Sequence, residues 1–217
     1  MHYAFSRDLK VSLRPILGFG EYLLEGEVST ECAGQFQRKV LESAKNLEFQ
    51  LNALADYAQL CRRPVRSEVV ELSPLIAEVA AQRLKEQALA GECVELSGDI
   101  WPAAADAAML RIVFSELLRN ALQFVRPGQL PRVKVSGQRG EGRVEVAIAD
   151  LGLGIPQACL PLLGRPFQRF HAGPEVPEGV GFGLTLACRG LAAVQGRLRC
   201  ASEPGRGSTF LVSLRAA

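Results

Sequence analysis

Two apolar stripes at helical spacing open the chain, and a single helical hairpin cannot bury both. Phe5, Leu9, Leu13, Ile16, Gly20 and Leu23 recur at steps of four or three, the period of one helix face. Val40, Ala44, Leu47, Leu51, Leu54 and Ala58 follow with strictly alternating four and three steps, the spacing of a heptad seam. Between them Glu25-Gly26-Glu27-Val28-Ser29 reads as a turn, with Ser29 or Thr30 as the N-cap. The pattern predicts an antiparallel hairpin. Two faces left half-covered predict that it pairs with a second copy into a four-helix bundle. Arg62-Arg63-Pro64 ends the second helix, and residues 61–68 read as a linker.

Beyond the linker the period changes. Leu72 to Gln87 reads as a helix capped by Ser73, and Ala107 to Val125 as another. Residues 132–138 and 143–149 alternate around Gly140-Glu141-Gly142, a strand–turn–strand pattern. Residues 157–182 are dense in Pro and Gly and read as a mobile loop. Leu184 to Gln195 reads as a helix. Leu198 to Ser202 and Thr209 to Leu214 read as strands joined by residues 203–207. Antiparallel hairpins with segregated helices predict an α+β sandwich. The length, 217 residues, fits one or two domains, divided here as 1–63 and 64–217.

Charge and cysteine usage narrow the function classes. Lys plus Arg is 25 and Asp plus Glu is 23. That balance argues against nucleic-acid binding through a basic surface. No apolar run approaches the ~18 residues of a membrane span, and MHYAFSRDLK has no signal-like apolar region. The expected location is cytoplasmic. Six cysteines, none at C-x-x-C spacing, read as reduced thiols rather than a metal site or disulfide framework.

Four short segments carry chemistry. Asp150-Leu151-Gly152-Leu153-Gly154 follows an apolar strand; its carboxylate can accept from an amine, and its glycines admit close backbone approach. By itself it is equally an ordinary turn. Gly179-Val180-Gly181-Phe182-Gly183-Leu184 opens a helix, where exposed N–H groups favour phosphate. It follows a loop and not a strand, so the dinucleotide-fold reading fails its context. Glu116 and Asn120 lie four apart on one helix face; an Asn carbonyl can bind a metal, and a Glu can orient water. As an isolated pair they are also two surface polar residues. Gly205-Arg206-Gly207-Ser208-Thr209-Phe210 alone is a hairpin turn leading into the last strand.

In this order and spacing, residues 106–214 resemble the ATP-binding domain shared by sensor histidine kinases, gyrase-type ATPases and related chaperones. Asn120 falls on the family's N-box, Asp150 to Gly154 on its first glycine box and Pro166-Phe167 on its F-box. Gly179 to Gly183 falls on the second glycine box and Gly205 to Gly207 on the third. The resemblance implies an ATP site: Asp150 for the adenine amine, Asn120 for Mg²⁺, and Gly152, Gly154, Gly179, Gly181, Gly183, Leu184 and Thr209 around the nucleotide. Phe5-Ser6-Arg7-Asp8-Leu9-Lys10 resembles the H-box of a histidine kinase dimerisation domain, closest to kinases of the phytochrome-linked type.

The sequence departs from that pattern where phosphate is accepted. Arg7 stands at the place of the phospho-accepting histidine. A guanidinium stays charged and is a poor nucleophile. Asp8, the acidic neighbour, is present. Val11 replaces the Thr or Asn that positions water, and the usual proline is displaced to Pro15. His2 and His171, the only histidines, sit elsewhere. Gln123 replaces a Lys or His after the N-box, with Arg119 or Arg126 as compensating charge. Glu116 stands where the gyrase-type branch keeps a water-activating Glu, which leaves slow ATP hydrolysis open. The resemblance implies a dimeric, ATP·Mg-binding two-component protein without self-phosphorylation at position 7. It would act by docking a response regulator or another histidine kinase. A kinase using another acceptor, and a scaffold without nucleotide, remain the alternatives.

Overall fold

The computed structural model describes residues 2–25, 29–171 and 181–217. Helix α1 (His2–Glu25) folds back along α2 (Thr30–Arg62), with the Phe19 and Phe36 rings stacked at 5.0 Å. Ser29 caps α2, its side chain accepting from the Cys32 N–H at 3.4 Å. Much of the apolar surface of this hairpin is uncovered: Leu13 is 40% exposed, Leu17 56%, Leu41 57% and Leu51 52%. No helix among the described residues is long and apolar enough to cross a membrane.

The remainder is a layer of helices on a mixed sheet. Its elements are β1 (Glu68–Val70), α3 (Leu72–Glu86), β2 (Val94–Ser97), β3 (Ala103–Ala105), α4 (Ala107–Gln123), β4 (Val133–Gly140), β5 (Arg143–Asp150), α5 (Gly183–Ala193), β6 (Arg197–Glu203) and β7 (Gly207–Arg215). The main sheet runs β2-β4-β5-β7-β6; β2 is parallel to β4 and the other neighbours are antiparallel. Strands β1 and β3 form a separate two-stranded ribbon. On β5, Val144, Val146 and Ile148 alternate into the core. There they meet Leu110, Val113, Phe114 and Leu117 of α4 in one apolar cluster. The opposite face is polar and open, with Arg199 of β6 paired to Glu145 at 2.7 Å. A sheet covered on one side needs this alternation.

Three expectations are corrected. The cap of α3 is Glu71, not Ser73, which lies inside the first turn. Leu72 is 0% exposed and is the first helical residue, two places before a Ser73 cap would start the helix, and Pro74 is tolerated in a first turn that needs no N–H from it. The sheet is mixed, not built from antiparallel hairpins alone, because β2 joins β4 across the whole of α4. Residues 157–162 of the presumed loop form a 3-10 helix, and residues 172–180 lie outside the described ones.

The hairpin is fastened to the sandwich. Asp106, the N-cap of α4, is 2% exposed and accepts from the Arg66 N–H at 2.9 Å. Arg63 lies 3.8 Å from its carboxylate. Further up α2, Tyr57 meets Phe182 edge-on at 5.9 Å, and Arg189 Nε donates to Cys61 Sγ at 3.2 Å.

Candidate functional site

One face of α4 makes the floor of a cavity of about 350 Å³. Glu116, Arg119, Asn120, Gln123 and Phe124 line it, at steps of three and four along the helix. The adjoining face, with Phe114, Leu117 and Leu118, is fully buried. The start of α4 is held by Asp106, whose carboxylate accepts from the N–H groups of Ala108 at 3.0 Å and Met109 at 3.1 Å.

Asp150 ends β5 at one side of this cavity. Its Oδ1 accepts from the Gly152 N–H at 2.8 Å and the Ser208 N–H at 3.2 Å. Burial pushes its carboxyl above the ordinary aspartate value, against the pull of those two N–H donors. Cys200 on β6 is pushed up to about 11 by burial and then by the charge of Asp150. Apolar walls complete this end: Ile155, Phe210 and Phe124, with His171 tilted over Phe124 at 5.6 Å. Burial holds the imidazole of His171 below its usual value.

The glycines bring the motifs together by letting backbone touch backbone. A Cβ on Gly152 would run into the Phe124 carbonyl, which accepts from the Leu153 N–H at 2.9 Å. Gly154, at φ +67°, lies so close to the Glu203 carbonyl that a side chain has no room. The Gly205 N–H returns the contact, donating to the Leu153 carbonyl at 2.7 Å. The first and third glycine segments are thereby stitched to each other and to the end of α4. Gly181, at φ +68°, packs against the Gln168 carbonyl, and the Phe182 ring meets Phe167 tilted by 34° at 5.2 Å.

Of the residues marked in the sequence, Glu116, Asn120, Asp150, Gly154, Gly181, Gly183 and Leu184 line the cavity. Gly152 does not line it but orients Asp150. Thr209 lies between two lining residues: Ser208 and Phe210 line the cavity and Thr209 does not. Side chains alternate along β7, so Thr209 faces away. Gly179 lies outside the described residues, as do the side chains of Arg7 and Asp8, although both belong to α1. Glu116 is not free, because Arg119 holds it in an ion pair through both Nε, at 3.1 Å, and Nη2.

Sequence reading missed one wall. Phe49, Asn52, Ala53 and Asp56 of α2 also line the cavity. Their three–four spacing is a second stripe off the heptad seam, readable as spacing but silent about what it faces. Ser208 was missed too, since a backbone N–H that orients a carboxylate leaves no mark in composition.

The cavity fits a flat, amine-bearing ring and a polyanion. The ring has apolar walls and a desolvated carboxylate to accept from its amine. The polyanion has the guanidinium groups of Arg119, Arg165 and Arg169. Among the described residues no group of three His, Cys, Asp or Glu could cage a metal. A divalent cation here fits only as Mg²⁺ commonly binds, by few protein oxygens plus phosphate.

The sequence profile described as "Histidine kinase-, DNA gyrase B-, and HSP90-like ATPase" matches residues 105–217. The chain is 27% identical over 216 residues to sensor histidine kinase AtsR of Burkholderia thailandensis, covering 96% of this chain and 36% of that protein. It is 31% identical over 221 residues to sensor histidine kinase AruS of Pseudomonas aeruginosa, covering 94% and 21%. The chain thus spans about a third or less of these relatives. Among solved structures, full-length ShkA in complex with AMPPNP superposes with a TM-score of 0.61 at 21% identity, over 99% of this chain and 46% of that one.

Proposed function

Because the chain belongs to the histidine kinase-, DNA gyrase B- and HSP90-like ATPase family, we propose that it is a two-component signalling protein of histidine-kinase type that binds ATP·Mg and does not phosphorylate itself at position 7. The observation that carries the nucleotide part is Asp150: a half-buried carboxylate beside apolar ring surfaces, in a cavity that Arg119, Arg165 and Arg169 also line. Gly152 and Ser208 both donate to Oδ1, which leaves Oδ2 as the acceptor for the adenine amine. Asn120 would hold the magnesium through its carbonyl. ATP supplies a transferable γ-phosphoryl; the chain's part is to orient the base, neutralise the phosphates and exclude water.

In this reading residues 1–63 are the dimerisation hairpin and 64–217 the nucleotide domain. Uncovered leucines on α1 and α2 support a homodimer. Arg7 offers no neutral nitrogen to attack phosphorus. Val11, 61% exposed, offers no hydrogen bond to a hydrolytic water. The remaining role is regulation by docking a response regulator or a partner histidine kinase, with the nucleotide setting how α2 sits on α5.

The test is labelled ATP with Mg²⁺ on wild type and on Arg7→His. The variant has an imidazole neutral near pH 7 with Asp8 beside it. It should gain an acid-labile phosphate, and wild type should show none. Equal labelling of both would place the acceptor elsewhere and defeat the reading. Calorimetry with no uptake of any adenine nucleotide would favour a scaffold.

A further inference from the structure

Gly183 is the first residue of α5 and has ordinary helical backbone. The ends of two side chains stand where its Cβ would be, Glu116 Oε2 and Arg119 Nη2. The first turn of α5 therefore faces an ion pair. Its carboxylate side chain is 14% exposed and its guanidinium 29%. The unpaired N–H groups and positive dipole end of a helix favour an anion at that place. Glu116 is an anion of the chain's own, standing there with Arg119 attached by two donors to one oxygen.

Two cations could replace the charge that Gln123 lacks. Arg119 lines the cavity, and Arg126 does not. Among the described residues the buried Nε of Arg126 finds no hydrogen-bond partner.

We infer that Arg119 joins Arg165 and Arg169 as a cation for the nucleotide's phosphates, held in waiting by Glu116, and that an incoming phosphate displaces the Glu116 carboxylate from Arg119 and from the start of α5. The inference rests on the ATP reading above. The exchange makes and breaks only ionic hydrogen bonds. It has two consequences. Arg119 reads phosphate and not the base, so it sets preference for ATP over adenosine. Glu116 competes with phosphate, so its charge weakens nucleotide binding, and while paired it is not the base that activates water.

Calorimetry with ATP·Mg and with adenosine, on wild type, Arg119→Gln, Arg119→Lys and Glu116→Gln, tests this. Arg119→Gln should lose about tenfold or more in ATP affinity and keep its adenosine affinity, the loss of a charge-assisted contact. Arg119→Lys should recover part of the loss, which a merely structural role would not predict. Glu116→Gln should bind ATP several-fold more tightly, with adenosine unchanged. Unchanged ATP affinity in Arg119→Gln, or equal loss for ATP and adenosine, overturns the inference. So does weaker ATP·Mg binding by Glu116→Gln, which would put Glu116 on the metal. In each of these cases wild type still binds ATP and the broader reading stands. Wild type that binds no adenine nucleotide overturns that reading and this inference together.

Discussion

Asp150 shows how a single side chain sets recognition against stability. Burial raises its pKa in the folded chain above the unfolded value, so folding favours the protonated form. The sign follows: stability contributed by this group is present at low pH and is lost as pH rises through the raised pKa. At neutral pH the ionised carboxylate is therefore a burden on the empty protein. Asp150→Asn keeps an oxygen to accept from Gly152 and Ser208 but removes the charge. It should weaken adenine nucleotide binding by about 1–3 kcal/mol, while its melting temperature at neutral pH equals or exceeds that of wild type. The difference in melting temperature should shrink as pH falls toward the ordinary aspartate value of about 3.9. A difference that stays constant with pH would remove burial of the charge as its cause. That Asp150 ends a strand and Asn120 lies on a helix face with Glu116 was readable in the sequence because their motif neighbours are local. Ser208 was not, since its contribution is a main-chain N–H brought across from another strand.

At the scale of elements, the cap of α4 decides where the two halves of the chain meet. Asp106 accepts from Ala108 and Met109 at the start of its own helix and from Arg66 in the linker. Burial alone would raise its pKa; the N–H groups of Arg66, Met109 and Ala108 and the charge of Arg63 outweigh that and hold it below the ordinary value. Here the sign is opposite to that of Asp150: the stability is present at neutral pH and is lost as pH falls through the lowered pKa. Asp106→Ala removes a helix cap and strands the Arg66 N–H. It should lower the unfolding free energy by about 2–4 kcal/mol in urea titrations at neutral pH. Asp106→Asn, which keeps the cap acceptor, should cost less. Equal, negligible effects would mean that the linker is not held here. The helix itself was visible from its apolar period. Its link to residue 66 was not, because the two partners are 40 residues apart.

For the whole molecule the uncovered hairpin is the main open surface. Leu13, Leu17, Leu41 and Leu51 keep 40%, 56%, 57% and 52% of their surface in contact with solvent. Water-exposed leucines favour association, at roughly 25 cal/mol per Å² of apolar area covered. Wild type at micromolar concentration should scatter light as twice the chain mass, and Leu51→Glu should shift it to the monomer. A monomeric wild type would remove the four-helix bundle. Nucleotide binding should survive in Leu51→Glu, since Leu51 does not line the cavity, whereas Phe49, Asn52 and Asp56 do.

What the sequence determined by itself was whatever depends on near neighbours. Helix periods, the cap at Ser29, the β4–β5 hairpin and the order of glycine segments all follow from backbone geometry over a few residues. The tertiary structure decided the rest. The parallel pairing of β2 with β4 joins Val94 to Val133, and short β1 and β3 pair with each other, with Ala103 also bridged to Ala216. Thr209 faces away because β7 registers Ser208 and Phe210 toward the cavity, and a period of two allows no intermediate placement. Glu116 and Arg119 looked like separate candidates, yet they form one ion pair against Gly183. The second stripe of α2 became a cavity wall once Tyr57 met Phe182. In each case the deciding energy lies in contacts between distant segments, and a local pattern records only which side chains are available to make them.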